Sequence, residues 1–353
     1  MIGLVMKLVL SSWSLYVMTI AMVSANECAL NTECVPIVDC PFIRDSFSLI
    51  KRKPYCNLDR DGTNVCCLKP PQNYTQAKDY DLRIVRECRS YRSLPRKCSV
   101  PLIVGGLKAK PKEFPFMALL YYKNEDKFTQ LCGGTLISNK YVLTAAHCFY
   151  ETSTPPNWVR LGELDYSTDT DDASPQDFKI ENFIPHHQYY TTDIQTKYND
   201  IALVELAQEA SFNDYVSPAC LPLVDGNDFQ EFLAAGWGLI SDTSLEYSSH
   251  LLKVKLDRYD DDKCFEIIER NEELEKGVNN RTQICATSFS GNNGTCLGDS
   301  GGALFVNHPE FPCEFLVVGI TSFGEGGCGN QGIPSVYTRV KLYIDWIERI
   351  IWD

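Results

Sequence analysis

Positive charge is scarce in this 353-residue chain: 33 Lys and Arg stand against 46 Asp and Glu, for a formal net charge of -13. Nucleic acid and anionic membrane surfaces are themselves polyanions, so this balance excludes them as main partners and suits a soluble extracellular protein. Long apolar runs are missing too. Beyond the first 25 residues no segment is long and apolar enough to span a bilayer, and no internal repeat or low-complexity tract occurs.

Cysteine, by contrast, is plentiful. Sixteen cysteines call for an oxidising compartment, and all sixteen can pair into a disulfide framework. Residues 1–25 carry Lys7, an apolar stretch from Leu8 to Val23 and the small residues Val23-Ser24-Ala25, the pattern of a secretory signal peptide cut after Ala25. Ser11, Ser12 and Ser14 interrupt the apolar stretch and no basic stop-transfer cluster follows, which argues against a membrane anchor. The expected location is extracellular. The length suits one large domain and one small one.

Three segments carry chemistry. Ser300 lies in Gly298-Asp299-Ser300-Gly301-Gly302, His147 in Thr144-Ala145-Ala146-His147-Cys148 and Asp200 in Asn199-Asp200-Ile201-Ala202-Leu203. A serine hydroxyl is a weak nucleophile at neutral pH, so it needs an imidazole to take its proton, a carboxylate to hold the imidazole, and amide donors for the oxyanion. The chain order His, Asp, Ser is that of the chymotrypsin fold rather than of subtilisin or the α/β-hydrolases.

With Ile103-Val104-Gly105-Gly106, Gly133-Gly134-Thr135-Leu136, Gly236-Trp237-Gly238 and Val336-Tyr337-Thr338-Arg339-Val340, these segments make residues 103–353 resemble the trypsin/chymotrypsin family of serine proteases. The resemblance implies a mainly β fold of two six-stranded barrels with a C-terminal helix. Runs such as Phe116 to Tyr122 and Phe315 to Ile320 fit antiparallel strands, and Leu342, Trp346 and Ile350, with Ile347 beside them, give Lys341 to Ile351 a helical period. It also implies base, orienting and nucleophilic roles for His147, Asp200 and Ser300, an oxyanion hole from the Gly298 and Ser300 amides, and a hydrogen bond from Ser322 to Asp200.

In this family the domain's N-terminus exists only after a cut, and the freed ammonium pairs with the aspartate before the nucleophile. Here the resemblance assigns the cut to Leu102-Ile103 and the pair to Ile103 and Asp299. The segment Cys98-Ser99-Val100-Pro101-Leu102 resembles Snake-type clip proteases of arthropod cascades, which implies an activating protease that prefers leucine; cleavage after Arg96 or Lys97 stays open. Family pairings are Cys132 to Cys148, Cys264 to Cys285 and Cys296 to Cys328. The remaining cysteines are assigned Cys98 to Cys220 and Cys88 to Cys313, the first tethering the light chain after activation.

Residues 26–67 hold Cys28, Cys34, Cys40, Cys56, Cys66 and Cys67. A segment this short depends on disulfides and resembles the clip domain. Six cysteines allow fifteen connectivities; the resemblance selects Cys28 to Cys66, Cys34 to Cys56 and Cys40 to Cys67. Residues 68–102 read as a linker and activation segment with one ordered turn, where Arg83, Arg86, Arg89 and Arg92 form either a solvated face or a docking stripe. Sequons at Asn73 and Asn280 are candidate glycosylation sites; that at Asn293 adjoins Cys296.

Substrate specificity departs from trypsin-like relatives. The position six before Ser300 is Gly294, where they place an aspartate, and Ser335 at a second pocket position is neutral. Burying an unpaired arginine there costs about 3 to 5 kcal/mol, roughly 100- to 5,000-fold. Gly324 leaves the pocket wall open, so leucine or an aromatic residue fits, although Glu325 or a rearranged loop could still accept a basic one. No cofactor is required; a calcium ion at Glu163, in a loop rich in acidic residues, is a further candidate, with solvated carboxylates the default. The expected partners are the leucine-preferring activator, a downstream zymogen substrate and a serpin inhibitor, acting on a monomer. A digestive chymotrypsin- or elastase-like enzyme and a catalytically weak homologue are the alternatives.

Overall fold

Strands rich in Val, Leu, Ile and aromatics, bounded by Gly, Pro and Asn, set the architecture. The computed structural model describes residues 32–36, 64–68, 83–91, 107–124, 128–189, 196–241, 244–288, 298–309, 311, 313–324 and 333–352. Two compact units divide the chain, residues 1–81 and 82–353. In the first, β1 (Thr32–Pro36) and β2 (Asn64–Leu68) form an antiparallel pair with Cys34 opposite Cys66 in register. The pairings assigned to its six cysteines lie outside the described side chains, as does Asn73.

The second unit holds two barrels. The first closes in the order β4 (Met117–Lys123), β5 (Phe128–Leu136), β6 (Tyr141–Thr144), β9 (Ala202–Leu206), β8 (Gln176–Pro185) and β7 (Trp158–Leu161). In the second, β10 (Glu231–Gly236), β15 (Ala303–Asn307), β16 (Phe315–Gly324), β17 (Ser335–Arg339), β14 (Gln283–Thr287) and β13 (Leu252–Arg258) follow one another, and β10 pairs back onto β13. A two-residue strand, β3 (Leu107–Lys108), adds to β13, and β11 (Leu239–Ser241) pairs with β12 (Ser244–Tyr247) as a separate hairpin. The expected pair of six-stranded barrels is therefore present.

Burial in β4 and β16 is continuous rather than alternating: Met117 to Tyr121 and Phe315 to Ser322 are all buried. One face fills its own barrel and the other meets the neighbouring barrel. Phe114 and Phe116, just before β4, pack edge-on against Phe305 of β15 at 5.2 and 5.1 Å between ring centroids. Two core surfaces are thus fused through aromatic rings, whose edge-to-face geometry adds about 0.5 to 1.5 kcal/mol per pair beyond burial.

The C-terminal segment starts as a 3₁₀ turn, Val340–Tyr343, before the helix Ile344–Ile351. Three residues per turn rotate Leu342 out to solvent, where it is 49% exposed, while Ile344 and Ile347 take the buried face.

Within residues 68–102, expected to hold one ordered turn, the described part is longer. Residues Arg83–Tyr91 form a helix belonging to the second unit, with Ile84, Cys88 and Tyr91 buried. Those positions, four and three apart, share one face. Arg83 donates to the Trp352 carbonyl at 2.8 Å, and the Tyr91 hydroxyl donates to the Ile137 carbonyl at 3.0 Å. This face sets Cys88 against Cys220, and the two are disulfide-bonded. The assignments Cys98 to Cys220 and Cys88 to Cys313 are both overturned; Cys313 is disulfide-bonded, but not to Cys88. Cys132–Cys148 and Cys264–Cys285 are also disulfides. Cys98, Cys296 and Cys328 lie outside the described residues.

Candidate active site

His147 opens a four-residue helix, His147–Tyr150, directly after β6. Fully buried Ala145 and Ala146 let the chain turn there, and the Cys132–Cys148 disulfide fixes the turn to β5. Asp200 lies just before β9, which pairs with β6, so the adjacent strands deliver both groups to one end of the first barrel. His147 Nδ1 sits 2.8 Å from Asp200 Oδ2, and the His147 amide donates to Asp200 Oδ1 at 2.9 Å. Ser322 donates its hydroxyl to Asp200 Oδ2 at 2.5 Å. Thr338, which the sequence reading did not single out, donates to the Asp200 carbonyl at 2.8 Å.

Electrostatics follow from that packing. Burial alone would push the imidazole pKa down, but the charge and hydrogen bond of Asp200 outweigh it and hold His147 above the usual histidine range. Burial works against ionised Asp200, yet His147, Ser322 and the His147 amide together bring its carboxyl below the usual range. The pair is set as carboxylate beside imidazole, the arrangement that favours proton uptake by the ring.

The turn that carries Ser300 is clamped between the barrels. Gly133 donates its amide to the Ser300 carbonyl at 2.8 Å, and Gly301 to the Thr321 carbonyl at 2.9 Å. Gly298 and Gly301 take φ of +95° and +76°, left-handed values that glycine adopts without steric cost. At Gly301 a Cβ would also stand 2.2 Å from Thr144 Oγ1. Through Thr321 and its neighbour Ser322, the turn is continuous with the Asp200 and His147 contacts. Asp299 directs its carboxylate at the Gly236-Trp237-Gly238 block: Gly238 donates to Oδ1 at 2.9 Å, and a Cβ on Gly236 would lie 2.0 Å from that oxygen. Leu102 and Ile103 lie outside the described residues.

Of the residues expected to line the substrate pocket, Gly324 and Ser335 are cross-strand partners on β16 and β17. A Cβ at Gly324 would come within 3.3 Å of Ser335 Oγ, so the two positions face each other closely across the strand pair. Gly294 lies outside the described residues. Asn280 is exposed, at a turn whose carbonyl accepts from Arg339 Nη2 at 2.8 Å.

The donors at Glu163 do not fit a calcium ion well. Oε2 accepts from Arg160 Nη1 at 3.0 Å and Oε1 from the Leu164 amide at 2.8 Å. Arg160 also binds Asp177 through two nitrogens at 2.7 and 2.8 Å. A guanidinium thus supplies the positive charge between these carboxylates.

The trypsin family model matches residues 103–347. The chain is 34% identical to CLIP domain-containing serine protease HP8 of Bombyx mori, over 92% of this chain and 93% of that protein. It is 35% identical to CLIP domain-containing serine protease B4 of Anopheles gambiae, over 93% and 90%, and 40% identical to Serine protease snk of Drosophila melanogaster, over 71% and 57%. Among solved structures, neuropsin, a serine protease expressed in the limbic system of mouse brain, superimposes with a TM-score of 0.58 at 28% identity, covering 70% of this chain and 98% of that one. Fold, family model and relatives agree: the chain belongs to the trypsin family and is a serine endopeptidase.

Proposed function

We propose that the protein is a secreted zymogen of an extracellular proteolytic cascade, activated by cleavage between Leu102 and Ile103 and acting on a downstream zymogen. The observation that carries the chemistry is the buried Asp200 carboxylate, gripped by His147 and Ser322 beside the clamped turn of Ser300. Ser300 attacks the scissile carbonyl, His147 takes its proton and returns it to the leaving amine, and Asp200 stabilises the imidazolium. The amides of Gly298 and Ser300 hold the oxyanion; losing one such donor costs roughly 100- to 1,000-fold in turnover.

The cascade reading rests on relatives named as CLIP-domain proteases and on one named Melanization protease 1, from Drosophila melanogaster, at 35% identity. It takes residues 26–67 as a clip domain and residues 1–25 as a signal peptide. Pairing of the Ile103 ammonium with Asp299 is the switch: a buried carboxylate without a partner is costly, so the pair orders the oxyanion turn. The light chain stays attached through Cys88–Cys220, which spans the proposed cut. The activator prefers leucine, and the enzyme itself takes a large apolar residue rather than arginine. A serpin is the matching inhibitor class.

The test uses the full chain with residues 99–102 replaced by a factor Xa recognition sequence, so that cleavage frees Ile103. A serine-directed phosphonate should label the cut form, not the uncut form, and Ser300→Ala should abolish labelling. Labelling of the uncut chain would sink the zymogen claim. Faster cleavage of arginine than of leucine or phenylalanine peptides would sink the pocket claim.

A further inference from the structure

Asn199, immediately before Asp200, has φ of +53°, a left-handed conformation uncommon outside glycine and best tolerated by asparagine. Its side chain is used at both ends. Nδ2 donates to the Gln188 carbonyl at 3.3 Å, and Oδ1 accepts from the Tyr343 hydroxyl at 3.0 Å. Tyr343 closes the 3₁₀ turn that starts the C-terminal segment and is 4% exposed. Its ring meets His186 edge-on at 5.0 Å, and His186 meets Trp346 at 5.3 Å. Its position is therefore fixed by packing. The Ile201 amide donates to the Asn199 carbonyl at 2.8 Å, so the backbone on both sides of Asp200 is shaped at Asn199.

Asp200 itself has little freedom to adapt. Its oxygens contact the His147 ring, the His147 amide and the Ser322 hydroxyl, and its carbonyl accepts from Thr338. A small change in backbone direction would lengthen several of these contacts together. Such a preorganised carboxylate works only while its frame is held.

We propose that Tyr343 is a positioning residue for the catalytic aspartate, acting through its hydrogen bond to Asn199. The C-terminal segment then contributes to turnover as well as to packing. The inference rests on the catalytic roles proposed for His147, Asp200 and Ser300, and phosphonate labelling of Ser300 tests those roles separately.

The test uses the factor Xa-cleavable full chain after activation, comparing Tyr343→Phe and Asn199→Gly with the parent. Tyr343→Phe removes only a hydroxyl. Asn199→Gly keeps the left-handed backbone accessible and removes the acceptor for Tyr343 together with the donor to the Gln188 carbonyl. Each variant should lower kcat by about three- to ten-fold, the worth of one hydrogen bond, with KM unchanged. The acid limb of the pH-rate profile should move to lower pH, because a displaced Asp200 supports the His147 charge less; Glu151 and Lys197, the other charges acting on that ring, are untouched. The double variant should cost no more than the larger single one, as expected when both remove one contact. If phosphonate labelling is intact but kcat and the acid limb stay at parent values while the melting temperature falls, Tyr343 is structural only and the proposal fails. Additive losses would also overturn it, since the two residues would then act through separate contacts.

Discussion

At the scale of single residues, His147 and Gly324 make the most direct claims. Because Asp200 holds the imidazole above its ordinary value near 6.5, the base is still protonated at pH values where an isolated histidine would be free. kcat/KM for an apolar peptide should therefore rise through an apparent pKa above about 6.5. Ser322→Ala removes one of the bonds that hold Asp200 ionised and in place, so it should reduce kcat several-fold. A profile of Ser322→Ala identical to the parent would show the bond to be idle. Gly324 tests the pocket. With Ser335 Oγ only 3.3 Å from a Cβ at that position, Gly324→Val should narrow the slot. Leucine and phenylalanine peptides should lose on the order of 100-fold in kcat/KM while alanine peptides lose much less. Equal losses on all three would place the side chain outside the substrate path.

Among the elements, the helix Arg83–Tyr91 ties the light chain to the enzyme. After the proposed cut it remains part of the protease unit, held by Cys88–Cys220, by Tyr91 on Ile137 and by Tyr91 edge-on to Phe212 at 6.0 Å. Activated enzyme should therefore run as one species on a non-reducing gel and as two after reduction. Tyr91→Ala should cost about 3 kcal/mol, as for removal of a buried aromatic ring, read as a fall in melting temperature without loss of phosphonate labelling. This helix also marks the limit of what the sequence shows. His147, Asp200 and Ser300 are legible because each sits in a short segment whose chemistry dictates its neighbours. The barrels are legible because β-rich runs alternate with turns. A nine-residue helix is marginal in isolation; its reason for existing is the surface it covers, which no local pattern announces. Cys88 and Cys98 lie ten residues apart, and only the helix face distinguishes which one meets Cys220. Asn199 and Tyr343 are likewise separated by 143 intervening residues, and their hydrogen bond exists only in the folded chain.

For the whole molecule, acid should act on stability through histidines outside the catalytic pair. Burial, aided by the neighbouring charge of His187, brings His186 down to about 4, and burial alone brings His308 to about 4. Unfolded, each titrates near 6.5. Between those values the unfolded chain binds protons that the native fold refuses, so stability is lost as pH falls from about 6.5 towards 4. His147 has the opposite sign: its raised value adds stability in acid that is lost as pH rises through it. Two groups thus oppose one. Their placement gives the loss a direction, because His186 packs on Tyr343 and Trp346 while His308 lies within 4.8 Å of the Cys88 and Cys220 sulfurs. The melting temperature should fall steadily from pH 6.5 to pH 4. Hydrogen exchange should rise first in the C-terminal helix and in Arg83–Tyr91, before the first barrel. His186→Asn and His308→Asn keep an acceptor for the Gln188 and Phe311 amides but cannot titrate in this range. Together they should flatten the pH dependence; a double variant with the parent's slope would assign acid sensitivity to the carboxylates instead.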